Sequence, residues 1–231
     1  MSFSAVVESD PTTTPAPCND SWSFRTRILV GVLLFAAGAA TGAATQWWLD
    51  HKYEYIAKRW GVVVPGKIYR SGQLTPKVLD RKVKAHGITT IVDFQLYDIR
   101  DALQQGEIYY AHTHGLAHHR FPLAGDGTGD LKSYADAVAL IVECEKKNEP
   151  ILVHCAAGTQ RTGGAIAFYR LLIEQVDPRD VHDELKRYDW EPEEDDDLPR
   201  YLNANMAGLA QMLFERGILE RVPDPLPQLP E

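Results

Sequence analysis

The chain has 231 residues and a net charge of −8, with 24 Lys and Arg against 32 Asp and Glu. That length can bury one good-sized core once the two ends are set aside, and the acidic balance speaks against a general nucleic-acid binder, which would show a basic face or stripe. Its three cysteines, Cys18, Cys144 and Cys155, are too few and too scattered for a disulfide framework or a zinc site.

Residues 1–24 are rich in Pro, Thr, Ser and Asp, have no apolar period and read as a disordered tail that contains Cys18. Residues 28–49 then run for 22 positions without a charge. As a helix this run would span ~33 Å, about the hydrocarbon thickness of a bilayer. Trp47 and Trp48 stand at its end, where aromatic belts form. Residues 25–49 are therefore expected to form one transmembrane helix. The alternative is a signal peptide cleaved on export, since the most apolar part is short and residues 39–45 are mostly small. The long region ahead of the run and the Trp pair weigh against it. Arg25 and Arg27 favour a cytoplasmic N-terminus, while Lys52, Lys58 and Arg59 pull the other way.

Residues 50–65, aromatic and basic, read as a juxtamembrane connector suited to headgroups. The domain proper is expected over residues 66–220. Lys67-Ile68-Tyr69-Arg70-Ser71 alternates like a strand. Thr75-Pro76 supplies an N-cap and a Pro at the first helical position, and Gly87 stops the helix that carries Val78, Leu79 and Val83. Residues 88–94 are β-branched and read as a buried parallel strand. Residues 101–115 suit a helix and 118–123 another strand. His112, His114, His118 and His119 fall there, but their spacing does not put them on one face, so they read as surface or loop histidines and no metal is expected.

The Gly-rich residues 122–130 must be a loop. Residues 131–147 carry Tyr134, Val138, Ile141 and Val142 at helical spacing, with Cys144 as a small buried hydrophobe. Further helices are expected over 162–175, 178–188 and 198–216, with an acidic solvated linker at 191–197 and a Pro-rich tail at 221–231. The alternation predicts an α/β fold, a mostly parallel sheet flanked by helices, preceded by one membrane helix. Ligands of such sheets bind beyond the carboxyl ends of the strands.

Residues 151–163, Ile-Leu-Val-His-Cys-Ala-Ala-Gly-Thr-Gln-Arg-Thr-Gly, hold the chemistry. A buried strand ends in His154-Cys155, a turn through Gly158 follows, and a helix opens near Arg161-Thr162. The backbone N–H groups of Ala156, Ala157, Gly158, Thr159 and Gln160 and the helix N-terminus would surround one sulfur and one bound anion. Such a thiol should be acidic, and the thiolate is the form that attacks. The planar fork of Arg161 suits two oxygens of a phosphoryl group, and Gly158 lets the backbone approach closely. Thr162 is placed to donate to the sulfur, and His154 to orient the loop.

His154-Cys155-x-x-Gly158-x-x-Arg161-Thr162-Gly163 resembles the signature of the cysteine-dependent protein tyrosine phosphatases, in their small dual-specificity branch. More loosely the likeness extends over residues 66–217. Ile68-Tyr69-Arg70-Ser71-Gly72-Gln73 looks like the opening of bacterial and fungal members. The resemblance implies a phosphocysteine intermediate, no cofactor and an Asp on a separate loop that protonates the leaving oxygen and then activates water. Ala124-Gly125-Asp126 is similar to the acid-bearing stretch, so Asp126 is preferred. Asp130 is the reserve, because it is also a natural N-cap for the next helix. Asp93 reads as structural.

The loop interior, Ala156, Ala157, Thr159 and Gln160, carries no Lys or Arg, whereas relatives acting on multiply phosphorylated inositols or lipids tend to have cations there. A phosphorylated protein, phosphotyrosine above all, or a small phosphate monoester is the expected partner, with a phosphoinositide or inositol phosphate as alternative substrate. Two other classes stay open: a membrane-tethered phosphate-binding module without turnover, and a sulfurtransferase of the rhodanese type. A thiolate must stay reduced, which favours the cytoplasmic side. Nothing in the sequence fixes an oligomeric state.

Overall fold

A computed structural model of the chain describes residues 23–193 and 197–230. The expected tail at 1–22, with Cys18, and part of the acidic linker lie outside the described residues. The chain divides into two units, residues 1–49 and 50–231.

In the first unit, helix α1 (Phe24–His51) begins; its 28 residues span ~42 Å and bury none of their side chains. Apolar residues cover it all round, with Ile28, Leu29, Val32, Leu33 and Phe35 each more than half exposed. It is long and apolar enough to cross a membrane or to serve as a signal.

The second unit is a five-stranded sheet with strand order β1-β2-β5-β3-β4. These are β1 (Gly61–Val64), β2 (Ile68–Gly72), β3 (Thr90–Asp93), β4 (Ala117–Arg120) and β5 (Ile151–Cys155). Only β1 runs antiparallel, against β2; the other pairings are parallel. Helices α2 (Pro76–His86) and α3 (Ala102–His114) cover one face. Helices α4 (Leu131–Lys147), α5 (Gln160–Phe168), α6 (Pro178–Arg187) and α7 (Asp197–Glu215) cover the other. The inner strands are buried on both sides and alternate between the two cores: Ile151 and Val153 pack with α4, α5 and α7, and Leu152 with α2 and α3. The mostly parallel, helix-flanked sheet expected from the alternation is therefore present.

Local signals account for several boundaries. Pro76 opens α2 behind Thr75, and Gly87 ends it in the left-handed region at φ 64°. Asp101 and Asp130 cap α3 and α4 by accepting from backbone N–H groups one turn in. Three segments differ from the sequence reading. Residues 50–65 contain β1 and a 3₁₀ turn at Lys52–Glu54 rather than connector alone. The helix expected over 162–175 starts at Gln160 and loosens into a π turn at Tyr169–Ile173. The Pro-rich end packs back on the domain, where Leu229 is buried and its N–H and C=O both bond the Asn203 side chain.

In this topology the carboxyl ends of β2, β5 and β3 meet. Gly72 pairs with Cys155 and Asp93 with His154, and the Phe94 N–H donates to the His154 carbonyl at 3.1 Å. The sheet thus presents Cys155 at its carboxyl edge, between the loops that follow β2 and β3.

Candidate active site

Strand β5 delivers Cys155 to its end almost wholly buried. The chain then turns through residues 156–159 into α5. The Gly158 N–H donates to Cys155 Sγ at 3.1 Å. Gly158 sits at φ +86°, and a Cβ there would come within 2.5 Å of Gly72 N, so only glycine allows β2 and the loop to touch.

Burial disfavours the Cys155 thiolate. The Thr162 hydroxyl and N–H, the Arg161 guanidinium and the Gly158 N–H outweigh it, so the thiol pKa lies below its ordinary value. Thr162 reaches the sulfur loosely, for its hydroxyl makes no aligned hydrogen bond among the described residues although it is out of water. Arg161 lies at the first turn of α5, partly buried, and its Nε is likewise out of water and without a hydrogen bond. Cys155, the residues 156–160, Arg161 and Thr162 are therefore brought into one concave loop at a helix N-terminus, an arrangement able to hold a tetrahedral anion against a thiolate.

His154 is buried behind the loop, and its Nε2 lies 3.1 Å from Glu107 of α3. Glu107 is also buried and lies 2.9 Å from His118 Nε2. Burial opposes the charge on both members. Glu107 nonetheless raises His154 to about 9, and His154 and His118 pull Glu107 down to about 2. Asp93, fully buried, forms an ion pair with Arg120 at 2.9 Å and accepts from Gln95 N–H. Asp93, Glu107 and His154 come within metal-ligating distance of one another. Arg120 and the two histidines already compensate their charges, so the group reads as a structural network. Of the four clustered histidines in the sequence, His118 belongs to this network, His114 stacks on Tyr110 and His119 on Phe121.

The loop between β4 and α4 carries both acid candidates. Asp130 is occupied as the N-cap of α4, accepting from Lys132 N–H at 2.9 Å. Asp126 is exposed on the turn itself, where its Oδ1 accepts from Thr128 N–H and Thr128 Oγ1. The next residue, Gly127 at φ +84°, packs against the start of α5 so closely that a Cβ would lie 3.2 Å from Gln160 C. Tyr134 donates to Gly127 O at 2.5 Å and Tyr201 to Gly129 O at 2.8 Å. The Asp126 turn is thus pinned beside residue 160 by two tyrosines from different helices.

A family model described as "Tc-R-P: Polymorphic toxin system, DSP-PTPase phosphatase" matches residues 69–175. The Vaccinia virus "Dual specificity protein phosphatase OPG106" is 49% identical over 49 residues, 21% of this chain and 29% of the viral protein. Residues 69–175 are thus similar to the dual-specificity phosphatases of the cysteine-dependent protein tyrosine phosphatase superfamily. The chain spans less than a third of the length of the curated relatives it matches. Among solved structures, the core of the PP-IP phosphatase SIW14 from S. cerevisiae superposes with a TM-score of 0.55 at 18% identity, covering 74% of this chain and 97% of that one. TpbA of P. aeruginosa superposes with a TM-score of 0.54 at 17% identity, covering 69% and 91%. At these identities the two structures establish a common fold.

Sequence reasoning missed four contributors to this candidate site. Glu107 gave no signal in a helix of mixed composition. Arg70 read only as a member of an alternating strand and of the family-like opening; it is fully buried, lies 3.7 Å from the Tyr188 ring centroid and donates to Gly158 O. Lys58 and Arg59 read as residues for headgroups, and both reach the loop after Cys155 instead.

Proposed function

We propose that this chain is a membrane-anchored phosphatase that hydrolyses phosphate monoesters through a phosphocysteine. The observation that carries the reading is a buried cysteine with a lowered pKa whose sulfur accepts a loop N–H, with the open Nε of Arg161 at the same loop. The loop amides of residues 156–160 and the Arg161 fork bind the phosphoryl oxygens. The Cys155 thiolate attacks phosphorus, an S–P bond forms and the P–O bond to the leaving group breaks. Asp126 gives that oxygen its proton. Water then attacks the phosphocysteine while the Asp126 carboxylate takes its proton, and phosphate leaves with the thiolate restored, stabilised by Thr162. His154 orients the loop.

For substrate, a singly phosphorylated group such as phosphotyrosine fits best. The cations that gather at the loop aim at its carbonyls, and residues 156–160 themselves add no charge for a second phosphate. Residues 25–49 anchor the chain, with the domain on the reducing, cytoplasmic side.

The test is hydrolysis of an aryl phosphate by the full chain in detergent, without added metal, followed by phosphotyrosine, phosphoserine and phosphothreonine peptides and phosphoinositides. Activity that C155S abolishes and D126N lowers by about 10²–10⁴-fold supports the reading. A folded protein that binds phosphate without turnover would make it a binding module, and persulfide formation from thiosulfate would make it a sulfurtransferase.

A further inference from the structure

Three successive carbonyls of the catalytic loop are each held by a cation from outside it. Lys58 Nζ reaches Ala156 O at 3.4 Å, Arg59 Nη1 donates to Ala157 O at 3.0 Å, and Arg70 Nη2 donates to Gly158 O at 2.7 Å. The C=O and the N–H of a trans peptide point in opposite directions in one plane. A carbonyl held outward therefore aims the N–H of the following residue inward. The Ala157–Gly158 peptide shows both halves: Arg59 holds its carbonyl, and its N–H donates to Cys155 Sγ at 3.1 Å.

The Arg59 fork has a second anchor, for Nε donates to Asp189 Oδ2 at 2.7 Å. Both partners of that ion pair have left-handed backbones, Arg59 at φ 45° and Asp189 at φ 61°. For Arg the conformation is costly and persists only where the surroundings impose it. Lys58 fastens the same segment through its backbone, its carbonyl accepting from Gly72 N–H at 2.8 Å, next to the Gly72–Cys155 register pair.

We propose that Arg59, aided by Lys58, is a positioning residue for the nucleophile: it fixes and polarises the Ala157–Gly158 peptide so that the Gly158 N–H stays on the Cys155 sulfur. A hydrogen bond from a cation on one side of a peptide strengthens the bond its N–H gives on the other. The segment just ahead of β1 is then a working part of the site, and releasing it lowers the reactivity of Cys155. The role builds on the phosphatase reading, but the state of the thiol can be measured without any substrate.

The experiment follows alkylation of Cys155 by iodoacetamide against pH in the full chain, read on the Cys155 peptide by mass spectrometry so that Cys18 and Cys144 do not contribute. Thermal melting establishes folding, and aryl phosphate hydrolysis is measured in parallel. R59A should move the alkylation midpoint upward and lower kcat/KM about tenfold, less than the loss of an entire oxyanion donor because the N–H is misaimed rather than removed. R59K should recover part of both effects, since one ammonium cannot hold Ala157 O and Asp189 together. K58A should shift both in the same direction by less. A folded R59A protein with an unchanged alkylation midpoint overturns the proposal. If R59A does not fold, R59K carries the test, and an unchanged midpoint there overturns the proposal equally. If the wild-type chain hydrolyses nothing, the alkylation series still decides the role of Arg59, while the phosphatase reading fails on its own.

Discussion

At Glu107 a carboxylate with 1% exposure sits between two imidazoles, one of which, His154, precedes Cys155. Removing Glu107 takes from the buried His154 the carboxylate it is paired with, a loss that costs about 3–5 kcal/mol in comparable buried pairs. The consequence for pH follows from the two shifts. His154 is raised to about 9, so its contribution is complete below its ordinary value of 6.5 and is lost as pH climbs through 9. Glu107 is lowered to about 2, so its contribution is complete above 4.5 and is lost as pH falls toward 2. The thermal midpoint should therefore be highest between 4.5 and 6.5 and decline on both sides. In E107Q the alkaline decline should flatten, because His154 no longer has a carboxylate to keep its proton. Melting curves recorded from pH 4 to pH 10 check this, and an unaltered alkaline limb in E107Q would count against the pairing.

Among the elements, the turn from residue 124 to residue 130 depends on the helix that follows it and on one distant in sequence. Tyr134 comes from α4 and Tyr201 from α7, and each fixes one carbonyl of the turn that bears Asp126. Tyr134→Phe leaves the Gly127 carbonyl unpaired, at a cost of about 1–3 kcal/mol. We expect kcat to fall about tenfold while KM stays within about twofold, since a general acid contributes to the chemical step and little to phosphate binding. The alkylation midpoint of Cys155 should be unchanged, which separates a displaced acid from a damaged nucleophile. Legibility in the sequence follows the same division between near and far. Helix α2 was readable from Thr75-Pro76 and Gly87, and the turn from β5 into α5 from the ten residues beginning at His154, because these signals are local. The roles of Lys58 and Arg59 were not, since the loop residues they meet lie 98 positions away. Strand β1 escaped for a related reason: its four residues acquire strand character only by pairing with β2.

For the molecule as a whole, the order of strands also settles what Cys155 can and cannot meet. Cys144 Sγ lies 3.8 Å from Thr90 Oγ1, and Thr90 pairs with Ile151 at the opposite end of β5 from Cys155. Four strand residues separate the two cysteines along the sheet, ~13 Å at a rise of ~3.3 Å each, whereas a disulfide needs Cα atoms within about 7 Å. Peroxide that reaches the thiolate would make a sulfenic acid with no second thiol of the described domain able to trap it as a disulfide. Brief hydrogen peroxide treatment should thus inactivate the protein in a form that dithiothreitol reverses, and longer exposure should carry Cys155 to the sulfinic state, which dithiothreitol does not reverse. Mass spectrometry of the Cys155 peptide reads both stages, and an internal Cys144–Cys155 disulfide would contradict the strand geometry. The sheet that shelters the sulfur from solvent thus also isolates it from repair, and leaves its recovery to thiols supplied from outside the domain.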